Sequence, residues 1–327
     1  MPSSNWKIIT KNVDPNDPQA ARLLDEAIAA APPEFVGADG VPEDTVHMLP
    51  RGVVRDRCRL CGNIAELTRE HIPPKSSGNK ERHLKRTLDD WLEHGTEDEK
   101  IKGKTEQGGI FGYTLCRSCN SLTGRLYGNE YKVWTEQANS IFNGFEAGTL
   151  GTLDQMIGPF GWNVQFGDKK HGVKPGAMIR QVLSCMCSLS GSWDLAGRYP
   201  EIRRIVLEQS AEAMPKGVEL GLSLYLGPRI RISGPQLRVD MKTATWRWVQ
   251  EIAYPPFSFQ LVIASNNDDP GLGLMMNEWT LLAPGDQRII EGVSRVGFGW
   301  SPYIGDYRSR GEINGTATRA TDGVQND

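Results

Sequence analysis

Four cysteines stand in two CxxC pairs, Cys58/Cys61 in "CRLCG" and Cys116/Cys119 in "CRSCN", with 54 residues between them. In a reducing compartment, thiols at that spacing are metal ligands or redox groups more often than disulfides. Two such pairs can close a tetrahedral four-thiolate site, which suits a structural Zn2+. Between them lies "LTREHIPPKS", residues 67–76, where Glu70 directly precedes His71 and two prolines follow. A neutral imidazole, with an unperturbed pKa of about 6.5, can take a proton from water at physiological pH. A carboxylate suits a hard divalent cation. Asn120 directly follows the second cysteine pair, and Asn129 stands nine residues beyond it. Such a set could hydrolyse a phosphodiester, which needs an attacking hydroxide and a cation to relieve charge on the leaving oxygen.

These groups must be carried by elements that point them together. Adjacent residues on a strand face opposite ways. Glu70 and His71 therefore need a bend, for which Pro73 and Pro74 give a cause, or a metal beneath and a substrate above. After Cys119, Leu122, Leu126, Tyr127, Tyr131, Trp134, Ala138 and Ile141 recur at helical spacing, with Gly124 and Gly128 weakening the pattern. The stretch between the halves is charged and has a short helical pattern around Leu84, Leu88, Trp91 and Leu92. We read it as an insertion into a small metal-bound unit, with His83 and His94 facing solvent. Lys75, Lys80, Arg82, Lys85 and Arg86 would either grip a substrate or form a solvated face.

The combination "CRLCG…LTREHIPPKS…LCRSCNSLTGRLYGN" resembles the HNH endonuclease family, in its zinc-knuckle branch with an EH pair. The resemblance covers residues 55–135, about a quarter of the chain. It implies a ββα-metal module that cleaves DNA, with His71 as general base and Asn120 orienting its ring through a backbone or side-chain hydrogen bond. It further implies Glu70 and Asn129 as ligands of a catalytic Mg2+ or Mn2+. Lys75 and Arg125 are expected as substrate contacts. Two departures stand out. Glu70 replaces the commoner Asp or His, and the 49 positions from His71 to Asn120 exceed the family's gap. The alternative is a non-catalytic zinc-knuckle protein that binds DNA or another protein.

The rest of the chain frames this module. With 39% hydrophobic and 24% charged residues, its 327 residues have a globular composition. No run of eighteen apolar residues occurs, which excludes a spanning helix of ordinary type. The first residues lack an apolar leader, so a cytoplasmic location is expected. The net charge of −3 hides a local excess: residues 51–133 carry sixteen basic and twelve acidic side chains. We expect a helical lead-in and linker over 1–50, the module over 51–135 with its insertion at 75–112, and an α+β domain with an antiparallel sheet over 136–305. The polar tail, 306–327, reads as disordered.

In that second domain "KPGAMIRQVLSCMCSLSG" and "YPEIRRIVLEQSAEAMP" read as helices. "VELGLSLYLGPRIRISGPQLRVDM" reads as a hairpin, and "ATWRWVQEIA", "FSFQLVIAS", "EWTLLAP" and "RIIEGV" as strands. Cys185 and Cys187 read as buried small hydrophobes, and Trp246 and Trp248 as core. DNA is the expected partner. One such unit attacks one strand, so specificity would come from the C-terminal domain, from a partner or activator protein, or from a homodimer.

Overall fold

The computed structural model describes residues 17–30, 49–80, 82–85, 104–146, 162–225, 230–240, 243–266 and 273–294. The link around His47, the pattern at Leu88, Trp91 and Leu92, His94, Arg86 and the tail lie outside these residues. The chain is a mixed α+β protein with six helices and antiparallel sheets among the described residues.

Helix α1, Pro18–Ala30, starts where Asp17 accepts the Gln19 N–H at 2.8 Å, with proline in its first turn. A three-stranded antiparallel sheet follows, built from β1 (Arg55–Arg57), β2 (Ile64–His71) and β5 (Phe111–Cys116) in the order β1-β2-β5. Between β2 and β5 the short strands β3 (His83–Lys85) and β4 (Lys104–Glu106) pair with each other. Leu84 thus belongs to a strand, where a helical pattern was expected. Apolar residues four apart also suit a strand when a partner supplies the hydrogen bonds. His83 departs from expectation too: it is buried, with Nε2 3.8 Å from Glu106.

Helices α2 (Arg117–Leu126) and α3 (Gly128–Glu146) close the ββα unit. The helical run after Cys119 breaks once, at Tyr127, whose hydroxyl reaches across the core to the Val206 carbonyl at 2.7 Å. Next come β6 (Trp162–Phe166), α4 (Pro175–Leu189), α5 (Leu195–Arg198) and α6 (Pro200–Leu207). A five-stranded sheet then takes β7 (Glu219–Leu224), β8 (Arg231–Asp240), β9 (Thr245–Tyr254), β10 (Phe257–Ser265) and β11 (Leu274–Met275) in the order β11-β7-β10-β9-β8. Strand β12 (Ile290–Ser294) pairs with β6.

Two expectations are corrected here. β7 and β8 do not form a hairpin, because β7 pairs with β10 and β11 while β8 pairs with β9. Alternation marks a strand and does not name its partner. "EWTLLAP" is a 3-10 turn at Asn277–Leu281. The Asn277 side chain accepts from Leu220 N–H and donates to the Val218 carbonyl, both at 2.8 Å, so the segment is tied to the end of β7.

Helix α4 was expected to bury one stripe and buries every residue. It lies between the ββα unit and the five-stranded sheet, touching α2, α3 and β5 on one side and β8 and β9 on the other. Its charged residue, Arg180, is fully buried and donates to backbone carbonyls, among them Gly176, Ile205 and Ser210. Gln250 on β9 donates to the Met186 carbonyl at 2.7 Å, and Trp248 donates to the Ala27 carbonyl at 3.0 Å. Trp246 and Trp248 are core residues. Cys185 and Cys187 are buried as well, and burial pushes both thiols up.

Candidate functional site

The two knuckles meet as their spacing requires. The first is a turn between β1 and β2, closed by Gly62 N–H on the Cys58 carbonyl at 2.8 Å and Cys58 N–H on the Asn63 carbonyl at 2.9 Å. The second begins α2, with Cys116 as the cap and Cys119 one turn in. All four Sγ atoms lie within 4.8 Å of one another, and Cys61 and Cys116 are 3.9 Å apart. A tetrahedral Zn2+ with Zn–S bonds of about 2.3 Å puts its sulfurs about 3.8 Å apart, so the donor set fits a structural zinc. Cys58 takes the negative charge most readily. A thiol hydrogen bond from Cys119 and backbone N–H groups, including Cys116 N–H at 3.3 Å, lower its pKa. Among the described residues this is the one group of three or more His, Cys, Asp or Glu side chains close enough to hold a metal.

His71 ends the strand that begins beside the first knuckle. The β2–β5 ladder is irregular between Thr68 and Arg69, and Leu67 and Glu70, three apart, are both buried. Strict alternation would put those two on opposite faces. Asn120 sits at that irregularity, where a bulge leaves ladder groups without their usual partners. Its side-chain amide donates to the Arg69 carbonyl at 2.8 Å and to Thr68 Oγ1 at 2.9 Å. Asn120 therefore holds the strand backbone two residues before His71. The ring itself is held by another group: Nε2 lies 3.0 Å from the Gly108 carbonyl. A carbonyl only accepts, so Nε2 carries the proton and the lone pair is on Nδ1.

The Gly108 carbonyl is positioned by a part the sequence reading missed. Gly108 and Gly109 both have φ near +80°, and a Cβ on Gly109 would fall 2.3 Å from the Asn79 carbonyl oxygen. Only glycine fits there. Asn79, fully buried, accepts the Ile110 N–H at 2.7 Å and donates to the Ile110 and Pro73 carbonyls at 2.9 and 2.6 Å. It ties the turn after His71 to the start of β5. A lone Asn in "KSSGNK" carries no local signal of this; only the fold brings Ile110 to it. The Ile72–Pro73 peptide is cis.

Three cations act on the ring. Arg69, Lys75 and Arg51 all act on His71, whose pKa is lowered by burial first and by these charges after the opposing pull of the Gly108 carbonyl. Glu70 faces the other way. It is 5% exposed, and burial alone pushes its carboxyl up to about 8, so it is mostly neutral at pH 7. Asn129 is exposed in the first turn of α3, and no hydrogen bond joins it to Glu70. Neighbouring Gly128 accepts from Ser76 at 3.0 Å, which places the start of α3 on the turn that follows Pro74. Lys75 is exposed in that turn, and Arg125 is exposed in the last turn of α2.

Compared with family models, curated proteins and solved structures, the chain matches none. Its function must be read from the geometry. Among the described residues no helix is long and apolar enough to cross a membrane.

Proposed function

We propose that the protein is an HNH-type endonuclease that hydrolyses DNA phosphodiester bonds in the cytoplasm, with His71 as general base and the four-cysteine zinc as its structural anchor. The observation that carries this reading is the state of His71. Its Nε2–H is engaged by the Gly108 carbonyl, Nδ1 makes no hydrogen bond among the described residues, and three cations act on it. An imidazole kept neutral in that way can accept a proton from water at Nδ1. Arg69, Lys75 and Arg51 supply the charge that attracts a phosphodiester. Asn120 and Asn79 keep the strand and the turn on either side of His71 in place.

The resemblance also implies a Mg2+ or Mn2+ held by Glu70 and Asn129. These two do not fit such a site: a carboxyl sealed in the core and neutral at pH 7 is a poor ligand for a hard cation, and Asn129 lies exposed without a bond to it. The burial of Glu70 favours the competing reading, a non-catalytic zinc-knuckle protein that binds DNA or another protein. Cleavage of supercoiled plasmid with Mg2+ or Mn2+, compared between the wild type and His71→Ala, separates the two. Nicking that drops by about 10^2 to 10^4 in a folded His71→Ala supports the nuclease. Equal cutting by both, or none by either, sinks it.

A further inference from the structure

We propose that Arg51 and Arg69, held against Phe111 beside His71, form a subsite for the phosphate backbone of nucleic acid, each arginine taking its own phosphate. The proposal rests on the nuclease reading of His71 and adds groups that neither the cysteine motif nor the EH pair contains.

The subsite is assembled from three separate places in the chain. Phe111 is the register partner of His71 across the β2–β5 ladder, and their ring centroids are 5.7 Å apart. Arg69 lies two residues before His71 on β2, and its guanidinium carbon is 3.7 Å from the Phe111 centroid. Arg51 arrives from the segment that runs along the outer edge of β5, where Tyr113 N–H donates to the Pro50 carbonyl at 2.9 Å. Gly112 lets that segment close in, since a Cβ there would lie 2.9 Å from Leu49 Cδ2. The Arg51 guanidinium carbon then sits 3.8 Å from the same ring centroid.

Two features point to an anion as the ligand. The first is an imbalance of charge. Arg51, Arg69 and Lys75 share the neighbourhood of His71, and among the described residues Glu106 is the one carboxylate paired with any of them. Arg69 lies close enough to Arg51 to disfavour its charge. Gathering like charges at a half-buried place destabilises the fold unless an anion offsets them. The second feature is order. A guanidinium resting on an aromatic ring keeps its planar fork in one orientation, so little freedom remains to be lost when it binds a phosphate bidentately. Arg69 uses one N–H on the Gly108 carbonyl, at 2.9 Å, and is otherwise exposed. An arriving phosphate would meet the rest of that fork directly, and a neighbouring one would compete with Glu106 for Arg51. The same Gly108 carbonyl holds His71, which ties the phosphate grip to the ring's position.

The test is fluorescence anisotropy of a labelled DNA duplex with the full chain, without divalent cation, over a series of salt concentrations. Arg51→Gln and Arg69→Gln should each weaken binding about tenfold. Each should also reduce the slope of log affinity against log salt by about one phosphate contact. Glu106→Gln should tighten binding by removing the competitor, which a merely structural carboxylate would not do. A parallel titration with inorganic phosphate, followed by the His71 ring resonances, identifies the source of the anion. Wild-type affinity and slope in both arginine variants overturn the subsite, whatever the plasmid assay shows. Loss of phosphate binding with DNA binding intact overturns the nucleic-acid assignment. If the subsite holds while His71→Ala cuts plasmid as the wild type does, the nuclease reading falls alone.

Discussion

The cysteine cluster and the His71 pocket lie toward opposite ends of one strand, β2, and they are organised on different principles. In the cluster four side chains of one kind converge on a point, and backbone N–H groups turn toward the sulfur that carries the charge. At His71 the deciding partners are backbone carbonyls, a glycine pair and two asparagines, and the charged groups only act on its charge. The first arrangement is specified by spacing. The second exists only once the sheet has formed.

That contrast can be broken first at the cluster. Cys116→Ser, or stripping zinc with a chelator, should abolish stoichiometric zinc and unfold the ββα unit, because zinc binding in such sites is worth on the order of 10 kcal/mol. Metal analysis and circular dichroism check it. If the variant keeps its helical signal without zinc, the fold does not depend on the cluster.

At the other end of β2 the largest expected effect comes from Glu70. Its folded carboxyl is raised from 4.5 to about 8, so the native state holds the proton more tightly than the unfolded chain. The stability this gives is complete below pH ~4.5 and is lost as pH rises toward 8. Glu70→Gln cannot ionise and escapes that loss. It should come within about 0.5 kcal/mol of the wild type at pH 4 and exceed it by about 3–5 kcal/mol above pH 8, in denaturant unfolding at both values. A variant no more stable than wild type at high pH would mean that the carboxylate has a partner, which would restore Glu70 as a cation ligand.

Asn79→Ala should cost about 2–4 kcal/mol, since it leaves the Ile110 N–H and two carbonyls buried without that partner. If His71 depends on the turn that Asn79 holds, cleavage should fall in the same variant even well below its melting temperature. Stability lost with cleavage unchanged would show that the turn and the ring are independent.

What the sequence revealed follows the same division. The knuckles, the Asp17 cap and the helical run after Cys119 are local patterns, and each is where its spacing puts it. Asn120 was legible as a neighbour of His71, but its bonds to Thr68 and Arg69 depend on a ladder irregularity that no local pattern encodes. Arg51 lies twenty residues from His71 in sequence and reaches it only because the chain passes along β5. β7 and β8 read correctly as strands and wrongly as partners, since pairing is decided by distant contacts. Leu84 followed the ladder available to it, against a weak helical pattern.

The β3–β4 ladder bears on how this chain can change over generations. β3 and β4 pair with each other at three register positions, so the sequence positions on either side of 86–103 are fixed together. Doubling the length of chain between two paired strands costs only about 0.6 kcal/mol in closure entropy. Insertions or deletions within 86–103 should therefore leave the Gly108–Gly109 turn undisturbed. That makes the stretch a natural port for grafting a foreign recognition segment onto an unchanged core.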